Sequence, residues 1–115
     1  MGRMDIVVDQ IGKGVTRIKL DGRMDIDGAS AVDGTFSDIA GRHHPLIVDL
    51  GEVTFLASMG IRTLMFAAKS LRGAGAKMAL YNPRPAVEKV LRTSGVDSVV
   101  AVVRDEAAAL AAVTS

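Results

Sequence analysis

Residues 46–50, Leu46-Ile47-Val48-Asp49-Leu50, form an apolar run without polar alternation, and the spacing turns helical over residues 58–72. In that second stretch Ile61, Leu64, Met65, Ala68 and Leu71 fall on one face. A strand with no polar side must be covered on both faces, as a central strand of a largely parallel sheet is. These two segments together restrict the chain to an α/β architecture, with the helix crossing over the sheet that holds the strand.

The remainder supplies further units of the same kind. Residues 4–11 and 15–20 are rich in β-branched side chains, and Gly12-Lys13-Gly14 between them offers the positive-φ positions of a hairpin turn. Over residues 27–40, Val32, Phe36 and Ile39 recur at helical spacing, with Asp25 or Asp27 as N-cap and Gly41 as the stop, against the low helix propensity of Gly28 and Gly34. Gly73 and Gly75 end the helix of residues 58–72. Residues 78–81 predict a short strand, and Asn82-Pro83-Arg84-Pro85 a rigid connector that sets a proline in the first turn of the next helix. That helix carries Val87, Val90 and Leu91 inward and ends at Gly95. Residues 99–103 predict a last buried strand, and Asp105 caps an Ala-rich helix with Leu110 and Val113. The order is β-β-α-β-α-β-α-β-α, a mostly parallel mixed sheet opened by an antiparallel hairpin. A chain of 115 residues is the size of one domain, so residues 1–115 are read as a single one.

Composition narrows the function. The sequence has no cysteine, which removes disulfides, thiolate nucleophiles and Cys-based metal sites and fits a reducing, cytoplasmic setting. The apolar share is 49% but aromatics are only 3%, so the core is aliphatic. Residues 1–11 carry Arg3, Asp5 and Asp9 and lack the apolar core of a signal peptide, and no apolar stretch reaches the roughly 18 residues of a membrane span. The net charge of +1 is scattered, with neither a basic cluster nor stacking aromatics, which argues against nucleic acid as a partner.

In open sheets, binding residues gather where strands end and the following helices begin. Here that is residues 49–60, where Ser58 is expected at the N-cap of the central helix, beside unpaired backbone N–H groups and the positive end of the helix dipole. Capping alone accounts for a serine there, although Ile61 stands where a reciprocal capping box would need Glu or Gln. Met59, Thr63 and Phe66 fall opposite the Ile61-Leu64-Ala68 stripe and are expected to point outward, flanked by Arg62 and Lys69. That pattern fits either scattered surface apolars or a partner-binding face.

The run Phe55-Leu56-Ala57-Ser58-Met59-Gly60-Ile61, between Val48-Asp49-Leu50 and Ala74-Gly75-Ala76-Lys77-Met78-Ala79-Leu80, resembles the STAS domain of bacterial anti-sigma-factor antagonists, whose usual pattern here is Asp-Ser-Ser-Gly-Leu. Leu20-Asp21-Gly22-Arg23-Met24-Asp25 resembles the family's Gly-Glu-Leu-Asp segment, and residues 87–98 its Val-x-x-x-Leu-x-x-x-Gly-Leu helix end. The resemblance covers nearly the whole chain and implies a STAS-like fold and a non-enzymatic binding module without cofactor or metal. It implies phosphorylation at Ser58 by a partner that is at once anti-sigma factor and serine kinase, with only the unphosphorylated form binding productively. The implied partner surface is Asp21, Asp25, Thr54, Ala57, Ser58, Met59, Gly60, Arg62, Thr63 and Phe66. Three positions depart from the pattern: Ala57 stands where the family has Asp, Arg23 where it has Glu, and Arg62 where it often has Gly.

STAS domains also serve lipid-transport ABC complexes, stress-signalling assemblies and anion transporters. Leu56-Ala57-Ser58-Met59-Gly60 is a nucleophile elbow without its first glycine, and a serine hydrolase would have only His43 or His44 as base, at the opposite end of the central strand. Gly12-Lys13-Gly14-Val15-Thr16 lacks the spacing of a phosphate loop. Asp21, Asp25 and Asp27, next to Gly22 and Gly28, read as turn and cap residues before a cation site.

Overall fold

The structure is a computed structural model that describes residues 4–12 and 14–114. It contains β1 (Asp5–Ile11), β2 (Val15–Met24), α1 (Ile26–Ala40), β3 (Leu46–Leu56), α2 (Ser58–Gly73), β4 (Met78–Tyr81), α3 (Pro85–Thr93), a 3-10 turn (Val96–Ser98), β5 (Ala101–Val103) and α4 (Glu106–Thr114). The strands lie side by side in chain order in one sheet, β1 antiparallel to β2 and the remaining neighbours parallel. This is the α/β order the sequence predicts, with the 3-10 turn added.

The hairpin turn places Gly12 and Gly14 at φ +57° and +75°, while Lys13 lies outside the described residues. Asp25, not Asp27, caps α1, its Oδ1 accepting from the Gly28 N–H at 2.8 Å. Gly41 ends α1 in a right-handed conformation, and the left-handed residue of that loop is His43. Pro85 opens α3 as expected, and Asp105 Oδ1 accepts from the Ala108 N–H at 2.8 Å to cap α4.

The lack of polar alternation at Leu46, Ile47 and Val48 is explained by the cover of β3. Leu46, Val48 and Leu50 pack with Ile18, Leu20 and Leu80 beneath α1, α2 and α3, whereas Ile47 joins Val15, Ala79 and Tyr81 under Ala109 and Val113 of α4. Neighbouring residues of a strand face opposite sides, so a strand between two helical layers needs apolar residues at every position. Across the α4 side, Arg17 bridges Asp9 and Glu106, each at 2.7 Å, and Tyr81 donates to Glu106 at 3.0 Å.

Three boundaries differ from those expected. The sequence suggested strands over 15–20 and 46–50, yet β2 and β3 run on to Met24 and Leu56 as a two-stranded ribbon pairing Asp21 with Glu52 and Met24 with Leu56. Beyond Gly51, Val53 and Leu56 turn into the core while Thr54 and Phe55 face water. The strand simply changes from two-sided to one-sided cover. β4 reaches only as far as Asp49, so the ribbon overhangs its neighbour and carries its last residues out towards the start of α2. The last strand begins at Ala101 and not at residue 99, because the Val99 and Val100 N–H groups bond to Val96 O in the turn.

Candidate functional site

The end of β3 meets the end of β2 where Ala57 N–H donates to Met24 O at 3.0 Å. Ala57 is extended, and its carbonyl accepts the Ile61 N–H at 3.0 Å. Ala57 is therefore the N-cap and Ser58 the first residue of α2, which corrects the expectation that Ser58 is the cap. The cap has no side-chain hydrogen bond, so the N–H groups of the first turn are left without a carboxylate or hydroxyl in front of them. The Ser58 side chain is exposed.

Gly60 makes this approach possible. A Cβ there would sit 2.7 Å from Leu56 Cδ1, 2.7 Å from Met24 Cγ and 2.9 Å from Met24 O, so only glycine lets the first turn of α2 rest on the end of β2. Gly60 is buried and acts as a spacer, not a contact surface.

Thr63 is the second correction. Expected to point outward, it is only 5% exposed, with Oγ1 3.1 Å from Asp33 Oδ1 and 3.1 Å from Met59 O. α1 packs along α2 as well as the sheet, and the buried arc takes in Gly60, Thr63, Leu64, Ala67, Ala68 and Leu71. Ile61 and Met65, expected fully inward, lie half-buried at the core edge.

Met59 and Phe66 do face solvent, as expected, at 41% and 62% exposure, and Ile26 and Phe55 join them at 67% and 39%. Between α1 and α2 runs an open groove of about 350 Å³, with Ala29, Ser30 and Asp33 on one wall and Met59, Arg62, Thr63 and Phe66 on the other. At the ribbon end, the Arg23 guanidinium lies 4.3 Å above the Phe55 ring, and its Nε lies 3.6 Å from Asp25 Oδ2. Thr54 is exposed there, its Oγ1 3.4 Å from Gly22 O.

Asp21 is not brought to this surface. It lines a separate concavity with Asp5, Val7, Lys19 and Glu52, and a register shift between Gly22 and Arg23 divides it from the residues near Ser58. Asp25 is close by, but its carboxylate is committed to capping α1. Missed by the sequence reading were Asp33, whose partner lies on another helix, and Ile26 and Phe55, whose signal was an apolar residue out of phase with its element's buried stripe.

His43 and His44 are exposed in the loop before β3, and Ser58 follows its far end. Eleven strand residues separate those ends by roughly 35 Å, so neither imidazole is a base for the serine.

A mixed five-stranded sheet whose longest strand runs out to an exposed Ser58, at the start of a helix with exposed Met59 and Phe66, defines a small α/β module. The chain belongs to the STAS-domain family: residues 7–104 match the family model described as Mlab, STAS domain. It is 33% identical over 67 residues to BtrV of Bordetella bronchiseptica, whose name assigns it provisionally to the anti-sigma factor antagonists; the match spans 58% of each chain. An anti-sigma factor antagonist from Mycobacterium paratuberculosis has the same fold, with a TM-score of 0.87 at 23% identity over 97% of this chain and 95% of that one. The Bacillus cell fate determinant SpoIIAA in its phosphorylated form superimposes with a TM-score of 0.72 at 18% identity, over 94% of this chain and 98% of its own. Among the described residues, no helix is long and apolar enough to cross a membrane.

Proposed function

We propose that the protein is a cytoplasmic anti-sigma factor antagonist, a non-enzymatic module that docks on a kinase-type anti-sigma factor through the start of α2 while Ser58 is unmodified. The observation that carries this reading is the exposed Ser58 side chain with Met59, Arg62 and Phe66 exposed beside it on one helix. The family membership and the name of the Bordetella relative support it, as does the fold likeness to a protein solved in a phosphorylated form.

The chemistry of the switch follows from the position. The γ-phosphoryl group of ATP passes to Ser58 Oγ: a new Oγ–P bond forms, the bond from Pγ to the bridging oxygen breaks, ADP leaves, and the hydroxyl proton goes to a base of the kinase. The phosphate adds about −1.5 to −2 charge where helix N–H groups and the dipole accept an anion, so the fold survives. What changes is the contact surface, where a small neutral group becomes a bulky, strongly hydrated anion that is costly to bury against a partner. Ala57 presents no carboxylate to repel that phosphate.

Incubation with the cognate kinase and ATP, followed by mapping of the phosphate by mass spectrometry, tests the assignment. The expected product is phosphoserine at 58; modification elsewhere with Ser58 untouched would remove it. Co-purification from the native host should recover an anti-sigma factor, and recovery of ABC-transporter subunits without one would favour a lipid-transport role.

A further inference from the structure

Arg62 follows Ser58 by four residues on α2, and both side chains are exposed. Residues four apart on a helix have Cβ atoms about 5–6 Å from each other. Helical side chains lean towards the N-terminus, so a long side chain at position 62, which borders the groove between α1 and α2, has the turn that holds Ser58 within its reach. Among the described residues, Arg62 makes no hydrogen bond or ion pair, whereas Arg23 is held by Asp25 and Phe55, and Arg17, Arg42, Arg84 and Arg92 are each held by a carboxylate. Of the carboxylates on α1 and its cap, Asp25 accepts from the Gly28 N–H and Asp33, across the groove from Arg62, accepts from Thr63 through Oδ1, and neither forms an ion pair with Arg62. An unengaged cation thus stands one turn after the one exposed hydroxyl at the start of this helix.

We propose that phosphoserine at position 58 is bound by Arg62 of the same helix, so that modification withdraws the cation from the docking face as it adds the anion. The inference rests on the reading of Ser58 as the modified residue. The order is the favourable one, anion N-terminal to cation at i and i+4, with the anion also at the positive end of the helix dipole. Guanidinium and phosphate pair through two parallel hydrogen bonds, which an ammonium does not reproduce. In the unmodified chain the Ser58–Arg62 surface carries +1; with a dianionic phosphate it carries about −1, and the charge available to a partner changes sign. A partner chosen for its fit to a free Arg62 loses that contact in the same event that obstructs Ser58.

The test uses the full chain with phosphoserine installed at position 58 during synthesis, alone and combined with Arg62→Gln or Arg62→Lys. Phosphorus NMR follows the second ionisation of the phosphate, ordinarily near pH 6. The unmutated chain is expected to ionise about 0.3 unit or more below the Arg62→Gln chain, with Arg62→Lys in between and the difference collapsing in ~1 M salt. The Arg62 Nε–H resonance should also shift on modification in the unmutated chain. Coincident titration curves with an unmoved Nε–H signal would overturn the proposal. Because no kinase takes part, that result would leave the phosphorylation reading standing, whereas failure of the kinase to modify Ser58 would remove that reading without touching the measured pairing.

Discussion

Thr63 on α2 shares its hydroxyl proton between Asp33 Oδ1 on α1 and its own Met59 carbonyl, each 3.1 Å away. This contact joins the two helices whose facing walls form the groove beside Ser58. It therefore sets the spacing of Met59, Arg62 and Phe66 relative to α1.

Thr63→Val keeps the shape and removes the hydroxyl. Asp33 is exposed and regains water, so the loss should be modest, about 1 kcal/mol in urea unfolding. Partner affinity should fall along with it, since α1 is no longer tied to the docking helix. A variant with unchanged stability and unchanged affinity would show that the contact contributes nothing.

Gly60→Ala should be worse than its size suggests. The added methyl meets Leu56, Met24 and the Met24 carbonyl within 3 Å, and relieving that overlap lifts the first turn of α2 off β2. A cost of about 1–3 kcal/mol is expected from chemical denaturation, with faster amide exchange appearing first at Ala57. Wild-type stability would contradict the close approach.

Asp25→Ala removes the side chain that accepts the Gly28 N–H at the start of α1 and should cost about 1 kcal/mol, while Asp25→Ser should retain most of the stability. If both variants behave alike, the carboxylate acts through charge and not as a cap.

The Arg17 cluster gives a dependence on pH. Hydrogen bonds from Arg17 hold the Asp9 carboxyl below its ordinary range, and Arg17 followed by the Tyr81 hydroxyl does the same for Glu106. Burial, then the bond to Glu106, pushes the Tyr81 hydroxyl up. Carboxylates with lowered folded-state pKa values stabilise fully above their unfolded values near 4, and that contribution disappears as the pH falls through the folded values. Glu106→Gln should cost under about 1 kcal/mol at pH 7, because the pair is partly exposed, and the gap to the parent should close below about pH 4. A gap that widens on acidification would reverse the assigned sign.

Much of this was legible in the sequence, and the exceptions have physical causes. The two-sided cover of β3 is written in the consecutive apolar residues Leu46, Ile47 and Val48, and the outward Met59 and Phe66 in their phase on the helix. Thr63 was misplaced because helical phase measured against one covering layer does not reveal a second, which α1 supplies. Ser58 moved from cap to first turn because cap position depends on which carbonyl accepts the Ile61 N–H, a backbone fact that Ala57 does not advertise. Asp21 is three residues from Met24 in the chain, yet it lines another concavity, and β2 shifts register against β3 on either side of Asp21 and Gly22.

The proposed function requires that a partner reach the exposed Ser58. Its most direct test is the equilibrium affinity of the cognate anti-sigma factor for the chain with unmodified Ser58 and with phosphoserine installed there, both checked for native circular dichroism. Binding weakened at least tenfold, about 1.4 kcal/mol, by the phosphate alone is the predicted result. Equal affinity of the two folded forms would contradict it.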